Sequence, residues 1–290
     1  MTKKLNPNAN TSSHWPNGAQ LIISISMQFE AGGQPEGAES PFSGAPLPAG
    51  FPDLPAKTWF EYGYKEGILR LLALWDKYDI KVTSHMVGEA VLKNPELAKL
   101  IVKHGHEAAG HGMNWSSQYN MKFDEEKKFV EEGAQAVEKI TGQKPVGYNC
   151  NWLRRSVNTL EVLQNLGFLY HIDDVSRDEP FITFVKDKQF ITIPYTVRCN
   201  DIVLIEGKGF SAQDFLNQIK LEFDHLYKEG KHKRRMMSVS LHDRIGGTPA
   251  MAEAMENFIM YAMEHPNVVF MRKDEIAKMV EHDQNTLVEK

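Results

Sequence analysis

Gly105-His106-Glu107-Ala108-Ala109-Gly110-His111-Gly112-Met113-Asn114-Trp115 is a run of small residues that delivers an imidazole, an amide and an indole in quick succession. It reads as a short strand coming off a helix. Ala108 and Ala109 suit a position where space is tight, and Gly110 and Gly112 let another group approach the backbone. A strand that ends on His111, Asn114 and Trp115 looks like the rim of a pocket; an ordinary loop with a hydrogen-bonded histidine and a packed tryptophan is the competing reading.

Moving outward, the same strand-then-helix unit recurs. Gln20–Met27 is a buried strand running into Gln28, Phe29 and Glu30. Residues 31–58 are rich in Gly and Pro without apolar periodicity, which predicts a long binding or assembly loop. Tyr64–Tyr78 carries Ile68, Leu71, Leu72 and Trp75 at helical spacing, and Lys81–Val87 is a strand. Asn94-Pro95 opens the helix before Gly105, and Asp124 opens one closed by Gly142. Val146–Asn151, Phe168–Ile172, Gln189–Ile193, Ile202–Ile205, Met236–Leu241 and 268–271 read as further strands, with helices at 159–166, from Ser211, from Thr248-Pro249 and at 274–282. Alternation of this kind implies a parallel sheet, and about seven such units imply closure into an α/β barrel.

In parallel barrels the C-terminal strand ends line the active site. Here five strands end in polar groups: Gln28 and Glu30; His111 and Trp115; Asn149, Asn151 and Trp152; Asp173 and Asp174; His242, Asp243 and Arg244. Any one could be packing; the set points to a site.

Composition sets the outer bounds. A chain of 290 residues with 42% hydrophobic content suits one barrel-sized domain, assigned to residues 19–284 between an N-terminal extension (1–18) and a C-terminal tail (285–290). No run approaches the roughly 20 apolar residues of a membrane span. The polar N-terminus lacks a signal-peptide core, and two cysteines make no disulfide framework, so a cytoplasmic setting is expected. A net charge of −5 argues against a nucleic-acid partner, and the basic run Lys231–Arg235 reads as a solvated turn.

The chain resembles the polysaccharide deacetylase (NodB-type) superfamily, and within it the intracellular branch that contains the cofactor-independent allantoinase. The resemblance is carried by Trp59–Gly63 with Glu66–Arg70, Gly105-His106-Glu107 with His111-Gly112 and Trp115, Thr141-Gly142, and Gly147-Tyr148. It continues through Gly167–Tyr170 before Asp173, Asp178-Glu179-Pro180, and Arg235–Arg244 with Gly247-Thr248-Pro249. It implies a distorted TIM-like (β/α)7 barrel of the NodB type.

In metal-dependent members the first strand ends in two aspartates, one a base and one a zinc ligand, and two histidines four residues apart complete the site. Gln28 and Glu30 stand in the aspartate places, and Trp115 stands where the second histidine would be. A glutamine takes up no proton at neutral pH and an indole binds no metal. Only Glu30 and His111 remain as vestigial ligands, fewer than a catalytic zinc needs, so no cofactor is expected unless a third zinc ligand comes from elsewhere. The expected activity is hydrolysis of a non-peptide carbon–nitrogen bond in a cyclic ureide or related cyclic amide. Glu30 would orient or deprotonate water, and His111 with the Trp115 N–H would stabilise the oxyanion. His242 would protonate the leaving nitrogen, its tautomer set by Asp173 or Asp243. Gln28, Asn149, Trp152 and Arg244 complete the substrate-binding set.

Tyr64-Lys65, and a single glutamate in Glu30-Ala31-Gly32-Gly33, depart from the allantoinase branch and leave the exact substrate open. The alternatives are a metal-dependent N-deacetylase of a sugar or peptidoglycan-like substrate, and a degenerate barrel that only binds. The partners expected are a small-molecule substrate and further copies of the chain. The resemblance favours a homotetramer, to which residues 31–58 and the helix bearing Met251, Met255, Met260 and Met263 could contribute.

Overall fold

Strand β1, Leu21–Phe29, is buried along its whole length and sorts its side chains by parity. Leu21, Ile23, Ile25, Met27 and Phe29 join the main apolar core with Leu71, Trp75, Phe215, Phe223 and Phe258 from the surrounding helices. Ser24, Ser26 and Gln28 take the opposite face, as the two-residue period of a strand requires. The computed structural model describes residues 14–34, 40–41, 44–45, 47–48 and 50–289. Most of the expected extension (1–13), parts of the expected loop (35–39, 42–43, 46 and 49) and residue 290 lie outside the described residues.

The remaining strands are β2 Thr83–Met86, β3 Glu107–Gly110, β4 Gly147–Tyr148, β5 Tyr170–His171, β6 Phe181–Val185, β7 Lys188–Thr192, β8 Met236–His242, β9 Val268–Phe270 and β10 Leu287–Val288. The helices are α1 Leu54–Tyr62, α2 Ile68–Lys77, α3 Gly88–Lys93, α4 Pro95–Lys103, α5 Phe123–Thr141, α6 Thr159–Asn165, α7 Ala212–Glu229, α8 Pro249–Met263 and α9 Lys273–Glu281. The sheet runs β10-β6-β7-β5-β4-β3-β2-β1-β8, and β9 also pairs with β1. The path from β7 through β5, β4, β3, β2 and β1 to β8 is parallel throughout; only β6 against β7 is antiparallel.

Among the described residues no ladder joins β7 to β8. The chain leaving β7 closes that seam instead: the Ser238 hydroxyl donates to Pro194 O (2.6 Å), Ser240 N donates to Cys199 O (2.9 Å), and Asn200 bridges to Ser240. Local chemistry ends the helices as expected at two places. Gly142 closes α5 at φ +72°, and the Ser211 side chain accepts from Asp214 N at the start of α7.

Other expectations are corrected. The first helix begins at Leu54, inside the predicted loop, because Asp53 caps it by accepting from Ala56 N and Pro55 falls in its first turn. It runs through a π-helical turn, Gly63–Gly67, into α2. A Cβ on Gly67 would lie 1.9 Å from Asp243 O, so the turn packs flat against the end of β8. Ile202–Glu206 is a π-helical turn, not a strand. Asn94 does stand at the N-cap of α4 with Pro95 first in the helix, but its side chain makes no capping bond; its amide donates to Ala90 O (3.2 Å) and Ala31 O (3.4 Å). Asp124 lies in the first turn of α5, after Lys122. Within the expected tail, Leu287–Val288 pairs with β6. The basic run is only partly solvated: Arg234 is buried over the Trp15 ring and paired with Asp283. No described helix is long and apolar enough to cross a membrane.

Candidate active site

The ends of β1, β3, β4 and β8 converge on a cavity of about 100 Å³, lined among others by Gln28, Glu30, His111, Trp115, Asn149, Trp152 and His242. The ladders carry on past the strands to bring these groups together: His111 N donates to Met86 O (3.1 Å), Asn149 N to Gly110 O (3.0 Å) and Asp243 N to Gln28 O (3.2 Å). The small residues before His111 serve the close approach read from the sequence. Gly112 sits at φ +73°, where a Cβ would strike the Phe129 ring.

Glu30 is the hub. Its Oε1 lies 3.2 Å from His111 Nε2 and 3.7 Å from His242 Nε2, and its Oε2 accepts from Arg244 Nη1 at 2.8 Å. Burial by itself would raise this carboxyl, but the charge of His242, the hydrogen bond from His111 and the Arg244 guanidinium outweigh it and hold Glu30 well below the usual carboxylate range. His111 Nδ1 donates to the Asn149 carbonyl (2.7 Å), a group that only accepts. That fixes a proton on Nδ1 and makes Nε2, which faces Glu30 and the cavity, the nitrogen at which a proton is gained or lost. For His242 the order of effects is similar. Burial opposes its charge, yet Asp201 and Glu30 beside it raise its pKa above the ordinary imidazole value.

Asp201 corrects one expectation. It, and neither Asp173 nor Asp243, sets the His242 tautomer: Oδ1 lies 2.5 Å from His242 Nδ1, and Oδ2 accepts from His242 N (2.6 Å). Asp173 instead orients Asn149, accepting from its side-chain amide and from Cys150 N (2.8 Å each). Asp243 fastens the end of β1, accepting from Glu30 N and Ala31 N (3.0 Å each). Arg244 was expected to bind substrate, but it lies behind Glu30, away from the cavity wall, with its side chain fully buried. Trp152 does stand at the cavity, half exposed, on a left-handed backbone (φ +55°) continued by Leu153 (φ +59°).

Sequence reasoning missed the wall formed by Tyr195, Val197, Asn200, Ile202 and Val203. Tyr195 accepts from Gln28 Nε2 at 2.8 Å, so the glutamine in the first aspartate place is tied down by a phenol. Three residues that line the cavity each carry a polar atom that is buried without a partner among the described residues: Gln28 Oε1, Asn200 Oδ1 and Trp115 Nε1. They are two acceptors and one donor.

The donor set does not fit zinc. Among the described residues no three His, Cys, Asp or Glu side chains are placed to hold a metal ion. Trp115 offers only an N–H, and Glu30 Oε2 already accepts from a guanidinium.

A family model for polysaccharide deacetylase matches residues 56–171. A curated putative polysaccharide deacetylase from Schizosaccharomyces pombe is 26% identical over 292 residues, with 91% of each chain covered. Among solved structures, PuuE allantoinase superposes with a TM-score of 0.87 at 29% identity, with 97% of each chain covered. A probable polysaccharide deacetylase from Pseudomonas aeruginosa PAO1 superposes with a TM-score of 0.86 at 31% identity, with 94% of each chain covered. The seven-strand parallel path with its bridged seam is therefore the NodB-type α/β barrel. A likeness of this extent, in sequence as well as in fold, places the chain in the polysaccharide deacetylase family, hydrolases of carbon–nitrogen bonds other than peptide bonds.

Proposed function

We propose that this chain hydrolyses a ring carbon–nitrogen bond in a cyclic ureide or closely related cyclic amide, using side chains alone. The observation that carries the reading is the set of unpartnered polar atoms on residues that line the cavity. Gln28 Oε1 and Asn200 Oδ1 match two N–H groups, and the Trp115 N–H matches a carbonyl oxygen, the pattern that a ureide presents. A buried polar wall costs about 1–3 kcal/mol per group left unpaired, so a ligand that pairs all three is selected over one that does not.

The chemistry follows from the hydrogen bonds. Water is held by Glu30 Oε1, and its oxygen attacks the ring carbonyl carbon while His111 Nε2 takes the proton. Glu30, held strongly acidic, is a poor base but a good partner for the imidazolium that forms. The oxyanion lies against the Trp115 N–H. Collapse breaks the carbon–nitrogen bond, the nitrogen keeps the electron pair, and His242 Nε2 delivers its proton, the role its raised pKa prepares. Tyr195 and Asn149 keep Gln28 facing the substrate.

The test is turnover of a panel of cyclic ureides and imides beside N-acetylated sugar oligomers, each with and without a chelator. Ring opening unaffected by chelator is the expected result. Deacetylation of the sugars that disappears on chelation would replace this reading by the metal-dependent one, which the family match favours and Trp115 opposes. No turnover of any member would favour the barrel that only binds. A cytoplasmic, homo-oligomeric protein remains part of this proposal.

A further inference from the structure

Three aromatic rings close around one cation beside the cavity. The Arg244 guanidinium lies 4.7 Å from the centroid of Trp59, 4.6 Å from that of Phe60 and 5.0 Å from that of Trp115. The rings meet at steep angles, 61° between Trp59 and Phe60 and 80° between Phe60 and Trp115, so they form three walls and not a stack. Burying a guanidinium this completely is costly unless charge and π-faces replace its water. Glu30 Oε2 supplies the charge at 2.8 Å, with Asp243 Oδ1 at 3.7 Å beside it.

We propose that Arg244 in its box of Trp59, Phe60 and Trp115 is the fixed organic cation of this site, a positioning residue that acts on substrate through Glu30. It engages Oε2 and thereby turns Oε1 toward His111 and His242. Trp115 then has two jobs: its ring walls the guanidinium, and the residue also lines the cavity. Trp115 and Arg244 form one unit, in which the indole that takes the place of a ligand also houses the charge that takes the place of the ion. A guanidinium differs from a metal in what it offers: it holds charge and direction but carries no exchangeable water and polarises no carbonyl. The inference rests on reading Glu30 as a working group of the proposed hydrolase.

Zinc uptake tests the unit without any substrate. The full-length protein is dialysed against zinc and its metal content measured. Trp115→His alone restores a second imidazole but leaves the guanidinium on Glu30, and uptake should stay near that of the parent. Trp115→His with Arg244→Met should bind zinc at least about tenfold more tightly, because a like charge next to the ion has gone. Equal affinity in the single and double variants overturns the proposal. Should the double variant not fold, Trp59→Leu decides: it removes one wall and leaves every cavity-lining side chain. It should lower kcat about tenfold with KM unchanged. An unchanged kcat, or a loss confined to KM, overturns the proposal.

Discussion

Two carboxylates inside the barrel are equally hidden from water and behave in opposite ways. Glu30, 4% exposed at the C-terminal ends of the strands, is held strongly acidic. Glu107, 2% exposed at the start of β3, is pushed up to about 7 by burial and by the nearby Asp274, although Thr83, Tyr170 and Asp274 N all donate to it. Lys273, also sealed in at that end and bonded to Ser24, is pulled down to about 7. The difference teaches that burial sets no charge state by itself. Close cations do it for Glu30; Glu107 has hydroxyl and amide donors and a nearby Lys273 that burial itself pushes toward its neutral form, and these do not suffice. Only the first carboxylate opens onto a cavity.

The comparison breaks most sharply at His242. His242→Ala should lower kcat about a thousandfold, since it removes the proton donor and one of the cations facing Glu30. A loss below tenfold would mean that the leaving nitrogen needs no acid from the protein. His111→Ala should cost about a hundredfold, read from the same steady-state kinetics.

Asp201→Asn sharpens the comparison through pH. In the proposed mechanism the acid form of His242 is the working form, and its pKa is raised, so activity should persist above the ordinary imidazole value and fall as pH rises through the raised one. Removing the carboxylate should move that alkaline limb to lower pH and cut kcat about tenfold. An unmoved limb would assign it to another group.

The smallest effect on catalysis belongs to the sealed end. Glu107→Gln should change kcat less than about threefold. Its signature is stability: the folded pKa lies above the ordinary glutamate value of 4.5, so in the parent stability is full below about 4.5 and is lost as pH rises through about 7. Lys273, lowered when folded, adds the opposite slope above about 7. Thermal unfolding across pH should show the first slope vanish in Glu107→Gln, and its survival would move the titration to another group.

The strand ends were legible because apolar runs stop at chemistry-bearing residues, and that boundary survives folding. Gln28, Glu30, His111, Asn149 and His242 were found in this way and do meet. Asp201 was invisible because it belongs to a stretch without periodicity, and the apolar Ile202–Ile205 beside it mimics a strand. Tertiary packing decides that stretch: Asp201 caps the turn, Leu204 joins the apolar core, and Ile202 and Val203 line the cavity. Arg244 was misplaced for another reason. Sequence spacing locates a residue at a strand end but does not say on which side of a neighbouring carboxylate it will sit. Helix α1 was hidden by the prolines that in fact start it.

The bridged seam has a consequence for how such barrels diversify. Since a connector and not an eighth staircase of paired backbone joins β7 to β8, its residues are released from register and can be redrawn freely. That same ribbon holds Tyr195, Val197, Asn200 and the tether of His242, Asp201. Novelty in what the enzyme accepts can thus be written into one short stretch of chain while the scaffold and its imidazoles keep their places.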